Sequence, residues 1–170
     1  KLIYELFKPY LGNLDLNYCF LTACRSNNFP VIEWLFQEKE NHNILDEENW
    51  AFIEACSNKN LNLAQWLFDN SSKINIGVHQ ELAFCNACES GSVELVDWFF
   101  SIRTTELKAN RNIICHCLLG SILQNELKVV VRLLELVKDE IDFYYDFILN
   151  VLAKDICESS NIKMIEWLIE

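Results

Sequence analysis

This chain is expected to be all-α, an α-solenoid of about five stacked helix–turn–helix repeats with short or irregular connectors. Three observations lead there. First, one phrase recurs: Phe20-x-x-Ala23-Cys24 with Trp34-Leu35-Phe36, Phe52-x-x-Ala55-Cys56 with Trp66-Leu67-Phe68, and Phe84-x-x-Ala87-Cys88 with Trp98-Phe99-Phe100. Its cysteines stand 32 residues apart, and Trp follows Cys by ten each time. A fixed period of this size marks a stacked repeat. Second, the apolar residues inside each copy fall at i, i+3 and i+4, the spacing of one helix face. Third, the 170 residues contain only 4 Gly and 2 Pro, too few for a β-sandwich of tight turns.

Taken in order, residues 1–12, with Leu2, Ile3, Leu6 and Phe7, read as an N-terminal cap or an outer helix left from a preceding repeat. The repeats then run over approximately 14–45, 46–77, 78–111, 112–146 and 147–170. In the second, Phe52, Ala55 and Cys56 form the stripe of a first helix and Ser57–Asn60 a polar break. Leu61, Leu63, Ala64, Trp66, Leu67 and Phe68 then make a broader apolar second helix. Asn or Gly stands in every break: Asn27-Asn28, Asn58 with Asn60, Gly91, Asn125 and Asn161. These residues tolerate the left-handed conformation that ends a helix. Ala23, Ala55, Ala87 and Ser121 are small enough to let first helices approach closely.

Two weaker copies follow, Leu118-x-x-Ser121-Ile122 and Cys157 with Trp167-Leu168-Ile169. The Cys column continues through Ile122 to Cys157 in steps of 34 and 35, so the late units carry small insertions. The fourth unit admits two registers. Without a gap, Arg132 falls in the Trp column; with one inserted residue before Val130, Arg132 is exposed and Leu133 takes that column. The insertion is expected, because a buried unpaired Arg is costly. Trp34, Trp66, Trp98 and Trp167 recur in register inside apolar runs and are expected in the core. Trp50 stands outside that column and is expected to be partly exposed.

These units resemble ankyrin repeats. Ala51-Phe52-Ile53-Glu54-Ala55-Cys56 stands where that family has Pro-Leu-His-x-Ala-Ala. Leu61–Phe68 stands where it has Leu-Glu-Val-Val-Lys-Leu-Leu-Leu, and Gly91-Ser92-Val93-Glu94-Leu95-Val96 is similar to its Gly-His-Leu-Glu-Val-Val. The family period of 33 also agrees. The resemblance covers about residues 14–170 and is closer to the degenerate repeats of protist and large-DNA-virus proteins than to vertebrate ones. Thr-Pro-Leu-His and the Gly-Ala-Asp turn are absent, and connectors such as Gln37–Asn49 are polar and irregular.

Composition narrows the function. The chain is 51% hydrophobic and 12% aromatic, so it can bury a core. No apolar run approaches a membrane span and no signal peptide is visible. The chain begins at Lys1 and its single methionine is Met164, so it is expected to be a piece of a longer protein. The net charge of −11 argues against nucleic acid and anionic membranes as partners, which demand a basic footprint. It permits a basic protein partner and also keeps a domain soluble.

Motifs for chemistry are weak. Cys85-x-x-Cys88 with Cys115-His116-Cys117 could supply a zinc ligand set. Yet Cys24, Cys56, Cys88 and Cys157 share one repeat column, and Cys19 and Cys117 share another with Ala51 and Ala83. Small buried hydrophobes explain them, so no metal, cofactor, disulfide or catalytic residue is expected. Free thiols point to an intracellular compartment, cytoplasmic or nuclear. A pairing of Cys115 or Cys117 with His79 has no support in spacing, and no phosphate loop is present.

The expected function is therefore a non-enzymatic protein-interaction module, monomeric, binding a protein partner. The resemblance implies that first helices and connector tips line a concave face. The residues following each Ala-Cys pair would project there: Arg25, Ser26, Ser57, Asn58, Glu89, Ser90, Leu123, Gln124, Glu158 and Ser159. Asp46, Glu47, Asn49, Val78, His79 and Glu81 in the connectors would extend it. The alternative is a structural or regulatory repeat segment of a larger enzyme or effector whose activity lies outside this chain.

Overall fold

Each repeated phrase folds as a pair of helices joined by a short turn. The computed structural model describes residues 15–37, 48–71, 74–147 and 166–167, without the side chains of 48, 78–80, 140 and 141. The first unit is α1 (Leu16–Arg25) with α2 (Phe29–Gln37), and the second is α3 (Glu48–Ser57) with α4 (Leu61–Asn70). The third is α5 (Val78–Ser90) with α6 (Val93–Ala109), and the fourth α7 (Arg111–Leu123) with α8 (Leu127–Leu136). A 3₁₀ turn, Lys138–Glu140, leads into α9 (Ile141–Phe147). The described residues contain no strand. The structure is an all-α solenoid.

One turn geometry repeats at every helix–helix junction. Asn27, Lys59, Gly91 and Asn125 take positive φ, each three residues beyond the Cys column. The following amide then reaches back five residues: Asn28 N to Ala23 O, Asn60 N to Ala55 O, Ser92 N to Ala87 O and Glu126 N to Ser121 O. This is the Schellman closure, which satisfies carbonyls that a helix end leaves open. The left-handed residue of the second unit is Lys59, flanked by Asn58 and Asn60 rather than replaced by them. Asn60 caps the next helix instead, accepting from Leu63 N, as Ser92 does from Leu95 N.

The first helices form the spine. α1 packs on α3, α3 on α5 and α5 on α7. Ala55, Cys56, Ala87, Cys88, Ser121 and Ile122 are all at most 1% exposed in those seams. Middle helices are covered on both sides by neighbours, which is why α3 buries Ala51, Phe52, Ile53, Ala55 and Cys56 around most of its girth. Each buried Phe of this set is worth about 2–3 kcal/mol by area removed from water.

The tryptophan column departs from expectation. Trp34, Trp66 and Trp98 are half-buried, and the closed column is the next one, Leu35, Leu67, Phe99 and Leu133. The indoles lie at the seam between second helices. Trp66 meets Phe36 at 5.0 Å and Phe29 at 6.2 Å between centroids, and Trp98 meets Phe68 at 5.6 Å. Trp66 and Trp98 are thus covered by aromatic rings of the preceding unit. Trp50 is 44% exposed.

That seam settles the fourth unit without an inserted residue. Val129, Val130 and Leu133 fill the buried columns of Leu95, Val96 and Phe99, so Arg132 stands in the tryptophan column. The expected insertion is wrong because its premise is wrong: the column is half-open. Arg132 reaches Asp97 at 2.6 Å and Glu135 at 2.8 Å there.

The third connector is helical, whereas residues 74–77 of the second are not and end in a turn ahead of α5. α6 runs on to Ala109 through a kink at Arg103 (φ −140°), and Asn110 alone separates it from α7. Asn110 caps both helices, accepting from Ile113 N. Arg103 pairs with Glu81, whose φ of 63° breaks the start of α5. Two irregular backbone positions of one unit are therefore tied by one ion pair, with the Glu81 side chain 13% exposed. The cap proposed for residues 1–12 and most of the fifth unit lie outside the described residues; Trp167 packs against the core.

Two outcomes follow from this packing. Trp66→Ala removes the contact between units one and two and is expected to lower stability by about 3 kcal/mol in urea melting; an unchanged midpoint would mean the indole is not in that seam. Arg103→Ala leaves a mostly buried carboxylate without its partner and should cost about 2 kcal/mol, recovered in part by the double change with Glu81→Gln.

Candidate functional site

The positions after the Ala-Cys pair emerge on the open face of the first helices, and they meet their neighbours there. Arg25 on α1 donates to Glu54 on α3, Nε at 3.0 Å and Nη2 at 2.5 Å. Asn86 on α5 donates to Ser57 Oγ on α3 at 2.8 Å. Glu89 on α5 lies against Gly120 on α7. The rule is general: the residue one past Cys touches the residue two before the next unit's Cys-column position. Glu54, Asn86 and Gly120 were not singled out from the sequence. Their signal was available in the interval, since Arg25–Glu54 and Ser57–Asn86 are both separated by 29 residues.

Ser57, Glu89, Ser90 and Gln124 come together with Asn86 around an open depression of about 250 Å³. Ser57 Oγ also donates to Ile53 O, and Ser90 Oγ donates to Ala87 O at 2.9 Å. Both hydroxyls thus spend their proton on carbonyls of their own helices, and Ser57 Oγ accepts from Asn86 as well. Asn58 and Gln124 are exposed, and Leu123 is 53% exposed. Ser26 turns its hydroxyl onto Thr22 O at 2.9 Å.

The connector residues behave differently. Glu81 is engaged with Arg103 and mostly buried, so it is a clamp within its unit rather than a free binding group. Asn49 Oδ1 accepts from Asn75 N at 2.9 Å and ties the second connector back to α3. Val78 and His79 are in α5, with side chains outside the described set, and Asp46, Glu47, Glu158 and Ser159 also lie outside it.

The cysteines are structural. Cys19, Cys24, Cys56, Cys85, Cys88, Cys115 and Cys117 are free thiols. Cys117 donates to Cys85, Sγ to Sγ 3.6 Å, in the buried seam of α5 and α7. The neighbouring Cys117 thiol, then burial, pushes the Cys85 thiol well up. Cys85 lowers Cys117, but the Cys88 thiol and burial outweigh it and hold Cys117 well above its ordinary range. Neutral thiols are poor metal ligands and poor nucleophiles. His116 is exposed, and no group of three or more metal-binding side chains occurs among the described residues. No helix among them is long and apolar enough to cross a membrane.

A stack of helix pairs whose exposed columns vary over constant buried ones is a helical repeat protein. The family model for ankyrin repeats (3 copies) matches residues 20–111, and the chain belongs to the ankyrin-repeat family. Ankyrin repeats are in general protein–protein interaction modules, and such domains are typically non-catalytic. No curated protein and no solved structure matches the chain.

Burial gives one of these thiols a pH signature. Cys24 is raised from 9.0 to about 12, first by burial and then by the Glu54 charge. A raised folded pKa stabilises the protein fully below the unfolded value. That contribution should therefore fade as pH climbs from 9 towards 12. Cys24→Ala is expected to make the loss of stability across this window shallower; an identical slope would show that Cys24 does not titrate with unfolding.

Proposed function

We propose that this chain is a protein-interaction module that captures a partner on the concave face of its first helices. The observation that supports it best is the shared depression. Four residues expected on that face, Ser57, Glu89, Ser90 and Gln124, line one polar hollow spanning three units. Asn58 and Leu123, exposed neighbours of Ser57 and Gln124 in the chain, and Arg25 and Ser26 at the same place in the first unit, are taken to extend that face. Asp46, Glu47, Asn49, Val78, His79, Glu158 and Ser159 are proposed as flanking contacts. The partner is a protein, neither nucleic acid nor membrane, in keeping with the net charge of −11. The module itself carries no cofactor or catalysis and works as a monomer inside the cell, where its many free thiols stay reduced.

The test maps the face. Glu33 and Asn62, exposed on α2 and α4, serve as controls on the outer helices. Ser57→Arg with Asn58→Arg should abolish retention of a protein identified by affinity capture, with melting changed by about 0.5 kcal/mol or less. Glu33→Lys with Asn62→Lys should leave retention intact. The reverse pattern would place the partner on the outer helices and remove this reading.

A further inference from the structure

The cross-unit pairs change character along the stack. At the first junction Arg25 neutralises Glu54. At the second, Asn86 and Ser57 satisfy each other. At the third, the acid meets no donor side chain at all. A Cβ on Gly120 would lie 2.7 Å from both Cγ and Oε1 of Glu89, so the carboxylate rests on bare backbone. Among the described residues Glu89 has neither a hydrogen bond nor an ion pair. The cations at this end of the helices are engaged elsewhere, Arg25 with Glu54 and Lys59 with Glu126 at 3.7 Å.

The surroundings of Glu89 suit a cationic head group. Ser57, Ser90, Asn86 and Gln124 line the same 250 Å³ hollow and offer oxygen acceptors around one carboxylate. One unit further along the column, about 10 Å by helix packing, the exposed residue is Leu123 rather than a polar one. The net charge of −11 adds a long-range attraction for a basic protein.

We infer that Glu89 anchors a lysine or arginine of the partner protein, with an apolar partner side chain about 10 Å away on Leu123. This rests on the concave-face reading above and names the chemistry of what it takes. Specificity comes from the glycine at 120: any donor side chain there would close the junction as Asn86 closes the second one.

The probe is a displayed library of random 12-residue peptides selected on the purified chain. Wild-type protein should enrich peptides with Lys or Arg at one common position, and Glu89→Lys should enrich Asp or Glu there. Glu89→Gln should weaken a synthetic wild-type winner about tenfold, with the melting temperatures of both variants unchanged. Gly120→Asn should weaken it too, by supplying an internal donor. Winners that are lost on Ser57→Tyr and Gln124→Tyr, yet indifferent to the charge at 89, would overturn this inference and leave the concave-face reading standing. Winners insensitive to those groove changes but lost on Glu33→Lys with Asn62→Lys would overturn both. Absence of enrichment over an unrelated carrier protein would overturn the anchor as well.

Discussion

The whole stack depends on how closely successive first helices approach. A column of Ala, Ala, Ala and Ser next to a column of Cys, Cys, Cys and Ile forms the seams from α1 to α7. Larger residues there would push the units apart and open the Phe20, Phe52, Phe84 and Leu118 layer beneath them. Cysteine serves in this chain as a small hydrophobe, and burial keeps it protonated and inert. The same constraint sets the spacing of Cys24, Cys56 and Cys88, which follows the repeat.

Close approach of the spine fixes everything outside it. It places the residue after each Cys against the next unit, so the exposed face of the first helices is a row of junctions rather than a row of independent side chains. Some junctions close on themselves, as Arg25 with Glu54 does. One stays open, at Glu89 over Gly120. A repeat scaffold can therefore vary its recognition by changing which junctions are self-satisfied, without touching a buried residue. Lys59 shows how far such coupling reaches, since it passes the side-chain-free Gly91 to meet Glu126 two units away.

The second helices obey a looser rule. Their seam is half-open and is bridged by aromatic edges, Trp66 on Phe36 and Trp98 on Phe68. A half-open position accepts any long side chain with an apolar stem and a satisfied end. Arg132 meets that requirement through Asp97 and Glu135. The irregular third unit is handled separately, by the Glu81–Arg103 pair that ties the start of α5 to the bend in α6.

The sequence by itself determined the period, the helix pairs, the small-residue spine and the family, because buried columns admit few residue types and repeat them visibly. The resemblance to ankyrin repeats also implied one face for Ser57, Glu89, Ser90 and Gln124, which hold equivalent places after the Cys column. Tertiary structure decided what depends on distances between units. Glu81 reads as a free connector acid until Arg103, 22 residues on, is brought against it. Arg132 reads as an intolerable core residue until the tryptophan seam proves half-open. Lys59, rather than either flanking Asn, takes the left-handed turn because the Schellman register counts from the end of α3, not from residue preference. Asn86 and Gly120 are unremarkable letters in their own helices and acquire meaning only across a junction. Patterns of burial are written once per unit and can be read along the chain; pairings between exposed side chains are written in two units at once and need the stack to be read.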